Sequence, residues 1–182
     1  MTARNAESWG IQPEVPDTHV VSAEVYTDPA IFDDEKRRVF EQCWHLACHE
    51  SELANPFDYR TYDYVGTPLI SIRGRDHVIR TFMNVCSHRG AKIIHEPAGN
   101  AERLTCFYHL WSYDDQGSCV DIPRPDAYQS SGLKKDDCGL FEVRTETHLG
   151  MVFINLDEKA AGVKDYIGDA LEPFEASLGS GE

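Results

Sequence analysis

The sequence predicts a mainly β protein, an antiparallel sandwich preceded by an N-terminal helix. Period-two stretches fill the middle of the chain, turn residues separate them, and helical spacing appears only near the two ends. At 182 residues the chain is long enough for one domain with a real core, plus short appendages.

Residues 1–20, with Pro13 and Pro16 and few apolar positions, read as an extended arm. Asp28 is an N-cap candidate and Pro29 suits the first helical position. Ile31, Phe32, Val39, Phe40 and Cys43 then follow at helical spacing, which predicts one amphipathic helix over 28–44. The acidic run at 33–35 suits a solvated helix start. Next come candidate strands TYDYVG (61–66), PLISIRG (68–74) and HVIRTFMNV (77–85), with turns at 66–68 and 74–76. RLTCF, SCVDI, LFEVRTETH and GMVFINL continue the series. The last is apolar on both faces, so a central position is expected. Val163, Tyr166, Ile167, Ala170, Leu171 and Phe174 return to helical spacing. The expected divisions are an arm and helix over 1–45, a β domain over 46–157 and a tail over 158–182.

With 17 Lys+Arg against 31 Asp+Glu, the net charge of -14 disfavours nucleic acid and anionic lipid as partners. The start MTARNAESWGIQPEV has no apolar export region, and no apolar run approaches the roughly 18 residues that span a bilayer. A cytoplasmic protein is expected. In a reducing compartment the 6 cysteines are better explained by metal binding or burial than by disulfides.

Cys86-Ser-His88 and Cys106-Phe-Tyr-His109 are two mixed thiolate and imidazole pairs, each where a strand gives way to a loop. Either alone is a weak signal; together they offer two Cys and two His, the donor set of a Rieske [2Fe-2S] centre. Two ferric ions, two sulfides and two thiolates sum to zero charge, so such a cluster accepts an electron more easily than one held by four thiolates. A structural zinc on the same four residues is the main metal alternative. It has no need of the Arg-Gly after the first pair or the Leu-Trp-Ser-Tyr after the second.

CSHRG (86–90) and CFYHLWSY (106–113) resemble the Rieske motifs of aromatic ring-hydroxylating oxygenase α subunits. RRVFEQCWHLACHESELANPFDYR resembles that family's opening segment, and HLGMVFINLDE the strand that closes its Rieske domain. Ser87 and Phe107 stand where the family often has Pro, and Leu110 where it often has Gly. Gly90 and Tyr108 hold the places where respiratory Rieske proteins have an extra disulfide, which favours the oxygenase branch. The resemblance implies a Rieske-type antiparallel β sandwich with a small cluster-binding subdomain, and a 2Fe-2S cluster on Cys86, His88, Cys106 and His109. It also implies electrons from a ferredoxin or NAD(P)H-dependent reductase, relayed through His109 or His88 to a catalytic oxygenase domain or subunit. That domain holds a mononuclear Fe(II); only His148 follows the second motif here, so this chain does not assemble that site. Family α subunits form trimers. A free-standing Rieske ferredoxin-like carrier is the alternative, although the long helix and the terminal amphipathic stretch are more than a minimal carrier needs.

Cys119 and Cys138 are expected to be buried thiols. Cys43-Trp-His45-Leu-Ala-Cys48-His49 imitates a ligand pair at helical spacing, but it lacks the Glu of a zincin motif, and Trp44 and Leu46 read as packing residues. His19, His77, His95 and His148 are expected at the surface or in caps. Arg89 and Lys92 either stabilise the reduced cluster or guide an acidic partner, or Arg89 simply ties its loop to nearby carbonyls or carboxylates. Trp111 and Tyr113 either contact the cluster loops or fill the core.

Overall fold

The computed structural model describes residues 22–178; the arm with Pro13, Pro16 and His19 lies outside them. The chain divides into two compact units, Met1–Asp34 and Glu35–Glu182. In the first, a helical turn α1 (Glu24–Thr27) leads to helix α2 (Pro29–Glu35), whose last residue begins the second unit. Asp28 caps α2 as expected, its carboxylate accepting from the Ala30 N–H at 2.8 Å.

The single helix expected over 28–44 is corrected. After Glu35 the chain widens into a π-helical turn, Lys36–Phe40, with the Glu41 N–H reaching the Lys36 carbonyl at 2.9 Å. Neither segment buries a residue, so no packed face carries a regular helix on to Trp44. Phe40 is instead gripped from the sheet: its carbonyl accepts from the Tyr64 hydroxyl at 2.9 Å, and its ring lies 5.7 Å from that of His45.

Seven antiparallel strands form the larger sheet: β1 (His45–His49), β2 (Asp58–Tyr64), β3 (Thr67–Arg73), β4 (Ile79–Met83), β5 (Ala98–Asn100), β9 (Glu142–His148) and β10 (Met151–Asn155). Their order is β1-β10-β9-β4-β3-β2-β5. The strand β10 therefore lies one place from the edge, covered there by β1, and is not central. Val65 and Gly66, at φ 50° and 82°, make the two-residue turn between β2 and β3, so Thr67 and Pro68 open the next strand instead of forming the turn.

The smaller sheet has the order β6 (Leu104–Thr105), β7 (Ser112–Tyr113), β8 (Cys119–Asp121). Ile70, Ile72 and Phe82 of the large sheet share one apolar core with Leu104, Tyr113 and Cys119 of the small one and with Trp111 of the loop before β7. The two sheets thus form packed layers, with a small subdomain on the large sheet. After β10 come α3 (Val163–Ile167) and α4 (Leu171–Leu178), broken at Gly168 with φ 56°. No helix among the described residues is long and apolar enough to cross a membrane.

Candidate metal centre

Cys86 and His88 lie in the loop that leaves β4, and Cys106 and His109 in the loop between β6 and β7. The two loops fold alike. In the first, the Cys86 N–H donates to the Ala91 carbonyl at 2.8 Å and the Gly90 N–H donates to the Cys86 carbonyl at 2.9 Å. In the second, the Cys106 N–H donates to the Trp111 carbonyl at 2.8 Å and the Leu110 N–H to the Cys106 carbonyl at 2.9 Å. Each turn places its fifth residue in the left-handed region, Gly90 at φ 69° and Leu110 at φ 60°.

That match yields a stability prediction. A left-handed conformation costs a residue with a Cβ roughly 1–2 kcal/mol, and glycine adds roughly 0.5–1 kcal/mol of unfolded-state entropy. Leu110 is 56% exposed, so its side chain forfeits little burial. Leu110→Gly is expected to gain up to about 1 kcal/mol, a rise of ~2–4 °C in Tm. A Cβ on Gly90 would meet nothing within 4 Å, so Gly90→Ala is expected to lower Tm through the backbone alone.

The loops bring like with like. Cys86 and Cys106 are both buried free thiols, close enough to hydrogen-bond each other. The His88 and His109 rings are 4.5 Å apart, centroid to centroid. Burial pushes the Cys106 thiol above its ordinary range, the backbone N–H groups of Tyr108 and His109 pull it down, and Cys86 pushes it up again. A buried thiolate there needs a cation beside it. Burial first, then His109 and Arg89, lower the His88 pKa, a shift toward the neutral ring that donates a lone pair.

Around these four stands a tight shell. Trp111, 2% exposed, stacks flat on His88 at 4.6 Å and 4°. The Tyr128 hydroxyl is 3.4 Å from His88 Nε2, while His88 Nδ1 is buried without a hydrogen-bond partner. Tyr113, fully buried, places its hydroxyl 3.1 Å from Cys86 Sγ. Both readings of Trp111 and Tyr113 are therefore met at once: each lines the core and each touches the Cys86 loop.

A family model described as the Rieske [2Fe-2S] domain matches residues 43–138, more than half of the chain. The chain belongs to the Rieske family. Its cofactor is accordingly a [2Fe-2S] cluster. The Rieske chain is 45% identical over 181 residues to the 2-aminobenzenesulfonate 2,3-dioxygenase α subunit of Alcaligenes sp, covering 99% of this chain and 46% of that protein. It is 37% identical to the methanesulfonate monooxygenase hydroxylase α subunit of Methylosulfonomonas methylovora, covering 96% and 44%. Naphthalene 1,2-dioxygenase from Rhodococcus sp. superposes with a TM-score of 0.83 at 31% identity, over 89% of this chain and 37% of that one. The chain thus spans less than half the length of the curated relatives it matches.

The residues of this Rieske domain suit that group. The orphaned Nδ1 of His88 is a buried lone pair that asks for a partner. Two thiols together and two imidazoles together suit a two-iron unit better than a single zinc.

The other sequence candidates lie elsewhere. His45 and His49 sit on β1, not on a helix; His45 stacks on Phe40, and His49 caps the turn Glu50–Leu53. Trp44 is buried as expected, but Leu46 is 60% exposed because it sits on an edge strand. Cys119 and Cys138 are buried free thiols. His77 is an exposed turn residue at φ 65°, and exposed His95 packs edge-on to Phe107. His148 is half-buried: its side chain is 10% exposed and lies 3.1 Å from Glu175. Arg89 is exposed near His88, and Lys92 pairs its backbone with Val85. Sequence reading missed Tyr128, which reaches His88 from the turn Pro125–Ser131 and carries no motif of its own.

Proposed function

We propose that Cys86 and Cys106 hold one iron of the cluster and His88 and His109 the other, and that this chain is the electron-transfer part of an aromatic ring-hydroxylating oxygenase α subunit. The observation that carries the assignment is the segregated donor set, two thiols in contact and two imidazoles 4.5 Å apart, on loops with the same hydrogen-bond pattern. When bound, the cluster supplies one-electron transfer. The chain's own residues fix its surroundings. With Nδ1 of His88 offering its lone pair, the ring proton sits on Nε2 and faces the Tyr128 hydroxyl, while Trp111 prevents the ring from tilting. The N–H groups of Tyr108 and His109 stabilise the Cys106 thiolate.

In this reading a ferredoxin or NAD(P)H-dependent reductase delivers electrons and a catalytic domain or subunit with a mononuclear iron consumes them. Residues 46–157 form the cluster domain, with 1–45 as arm and helix and 158–182 leading toward the catalytic part. The protein is cytoplasmic, and the assembly is a trimer. Two of the relatives above are named for sulfonates, at 45% and 37% identity, so an organosulfonate is the substrate class to test first.

The experiment is reconstitution of the chain with iron and sulfide, followed by reduction with dithionite and then with NADH and a ferredoxin-reductase pair. The expected result is acid-labile sulfide equal to iron, a rhombic paramagnetic signal, and reduction by the biological pair. Product formation with an added catalytic domain that depends on this chain supports the oxygenase role; electron exchange without such dependence supports the free-standing carrier.

A further inference from the structure

Ser87, the residue between the two donors of the first loop, has an unusual set of contacts. Its hydroxyl is 2.7 Å from the Cys138 carbonyl and 2.9 Å from the Tyr113 hydroxyl, and its backbone N–H donates to that same Tyr113 oxygen at 3.2 Å. The Tyr113 hydroxyl is also 3.1 Å from Cys86 Sγ. A proton count shows the conflict. The Cys138 carbonyl only accepts, so it takes the Ser87 hydroxyl proton and the Ser87 oxygen turns its lone pairs to Tyr113. Tyr113 has one proton and two acceptors within reach, the Ser87 oxygen and the Cys86 sulfur. A tyrosine hydroxyl carries a single proton, so what the geometry leaves open is its direction, toward the Ser87 oxygen or toward the Cys86 sulfur.

We propose that Ser87 is a positioning residue that competes with the Cys86 sulfur for the Tyr113 hydroxyl proton, and by weakening the hydrogen bond to sulfur lowers the cluster's reduction potential. The proposal rests on the ligand assignment above. A hydrogen bond to sulfur favours the form with more negative charge, the reduced one, because the donor stabilises charge that builds on the thiolate. Removing the competitor frees Tyr113 to donate fully to Cys86, so the potential rises. Removing Tyr113's hydroxyl abolishes the donor, so the potential falls. The two substitutions act in opposite directions although both delete one hydroxyl from the same cluster of contacts, and a merely structural role for Ser87 does not give that sign.

The test is a redox titration, followed by paramagnetic resonance, on the holoprotein and on S87A, S87T, Y113F and the S87A/Y113F double variant. S87A is expected to raise the reduction equilibrium constant by on the order of tenfold and Y113F to lower it by a similar factor. S87T keeps the hydroxyl and should titrate with the parent chain. In the Y113F background, S87A should have no effect, since the proton being contested is gone. A normal parent signal with S87A unshifted or shifted downward, or an S87A effect that persists in Y113F, overturns the proposal alone. A parent protein without the rhombic signal overturns the ligand assignment and this proposal with it.

Discussion

Cys106→Ala is expected to abolish the cluster, while Cys119→Ala and Cys138→Ala leave it in place. All three cysteines are buried free thiols, so burial alone does not distinguish them. Position does: Cys106 contacts Cys86 and receives the N–H groups of Tyr108 and His109, whereas the Cys138 thiol faces the Lys134 carbonyl at 3.3 Å. Losing a residue that merely supports a metal ligand already costs on the order of 10–100-fold in affinity or activity, and losing a donor exceeds that. Because ligand binding is part of folding for a small metal domain, C106A should also melt earlier than the parent holoprotein. Iron and labile sulfide per chain, with the melting curve, check this. Retention of full iron by C106A, or its loss from C119A, contradicts the assignment.

Trp111→Ala carries the largest expected loss of packing. Its ring is buried between His88, stacked at 4.6 Å, and Tyr128, edge-on at 5.7 Å, within the core shared by the two sheets. Deleting such a ring costs about 3–5 kcal/mol, or roughly 6–20 °C in Tm for a chain of this size. It also frees the His88 ring, so the remaining cluster signal should broaden. Trp111→Phe keeps a ring against His88 and removes an indole N–H that is buried without a partner, so it should retain the cluster at a fraction of that cost. Calorimetry and resonance spectra of the two variants read both effects. A W111A protein as stable as its parent would show that the stack is not what holds the second loop.

How far the sequence alone carries this account depends on the range of each signal. The four proposed donors are legible because each pair is local, Cys86 with His88 and Cys106 with His109, and the backbone turns that present them are local too. The long strands β2 and β9 are legible because polar and apolar residues alternate along them, and β3 and β10 because each is a short apolar run bounded by turn residues. The strands β1, β5 and β7 escape notice because their pairing is set from outside: β7 is two residues long and hides within the second motif, and β1 is defined by its register with β10. The helix expected over 28–44 has convincing spacing, yet contacts made by Phe40 to His45 and Tyr64 decide where it stops. Tyr128 is the clearest limit, since its partner His88 is forty residues earlier and only the fold brings them together. Position 110 shows the reverse case, where a sequence departure gains meaning from the backbone: the left-handed turn that Gly90 accepts freely is imposed on a leucine.

The asymmetric two-iron site is tested most directly by Mössbauer spectroscopy of the protein reconstituted with iron-57. The account predicts two iron environments of equal weight in the oxidised protein, one with sulfur donors only and one with nitrogen as well, and a localised ferrous site on the second after reduction. A single environment for both irons, or an iron-free protein that holds zinc on the same four residues, would contradict it.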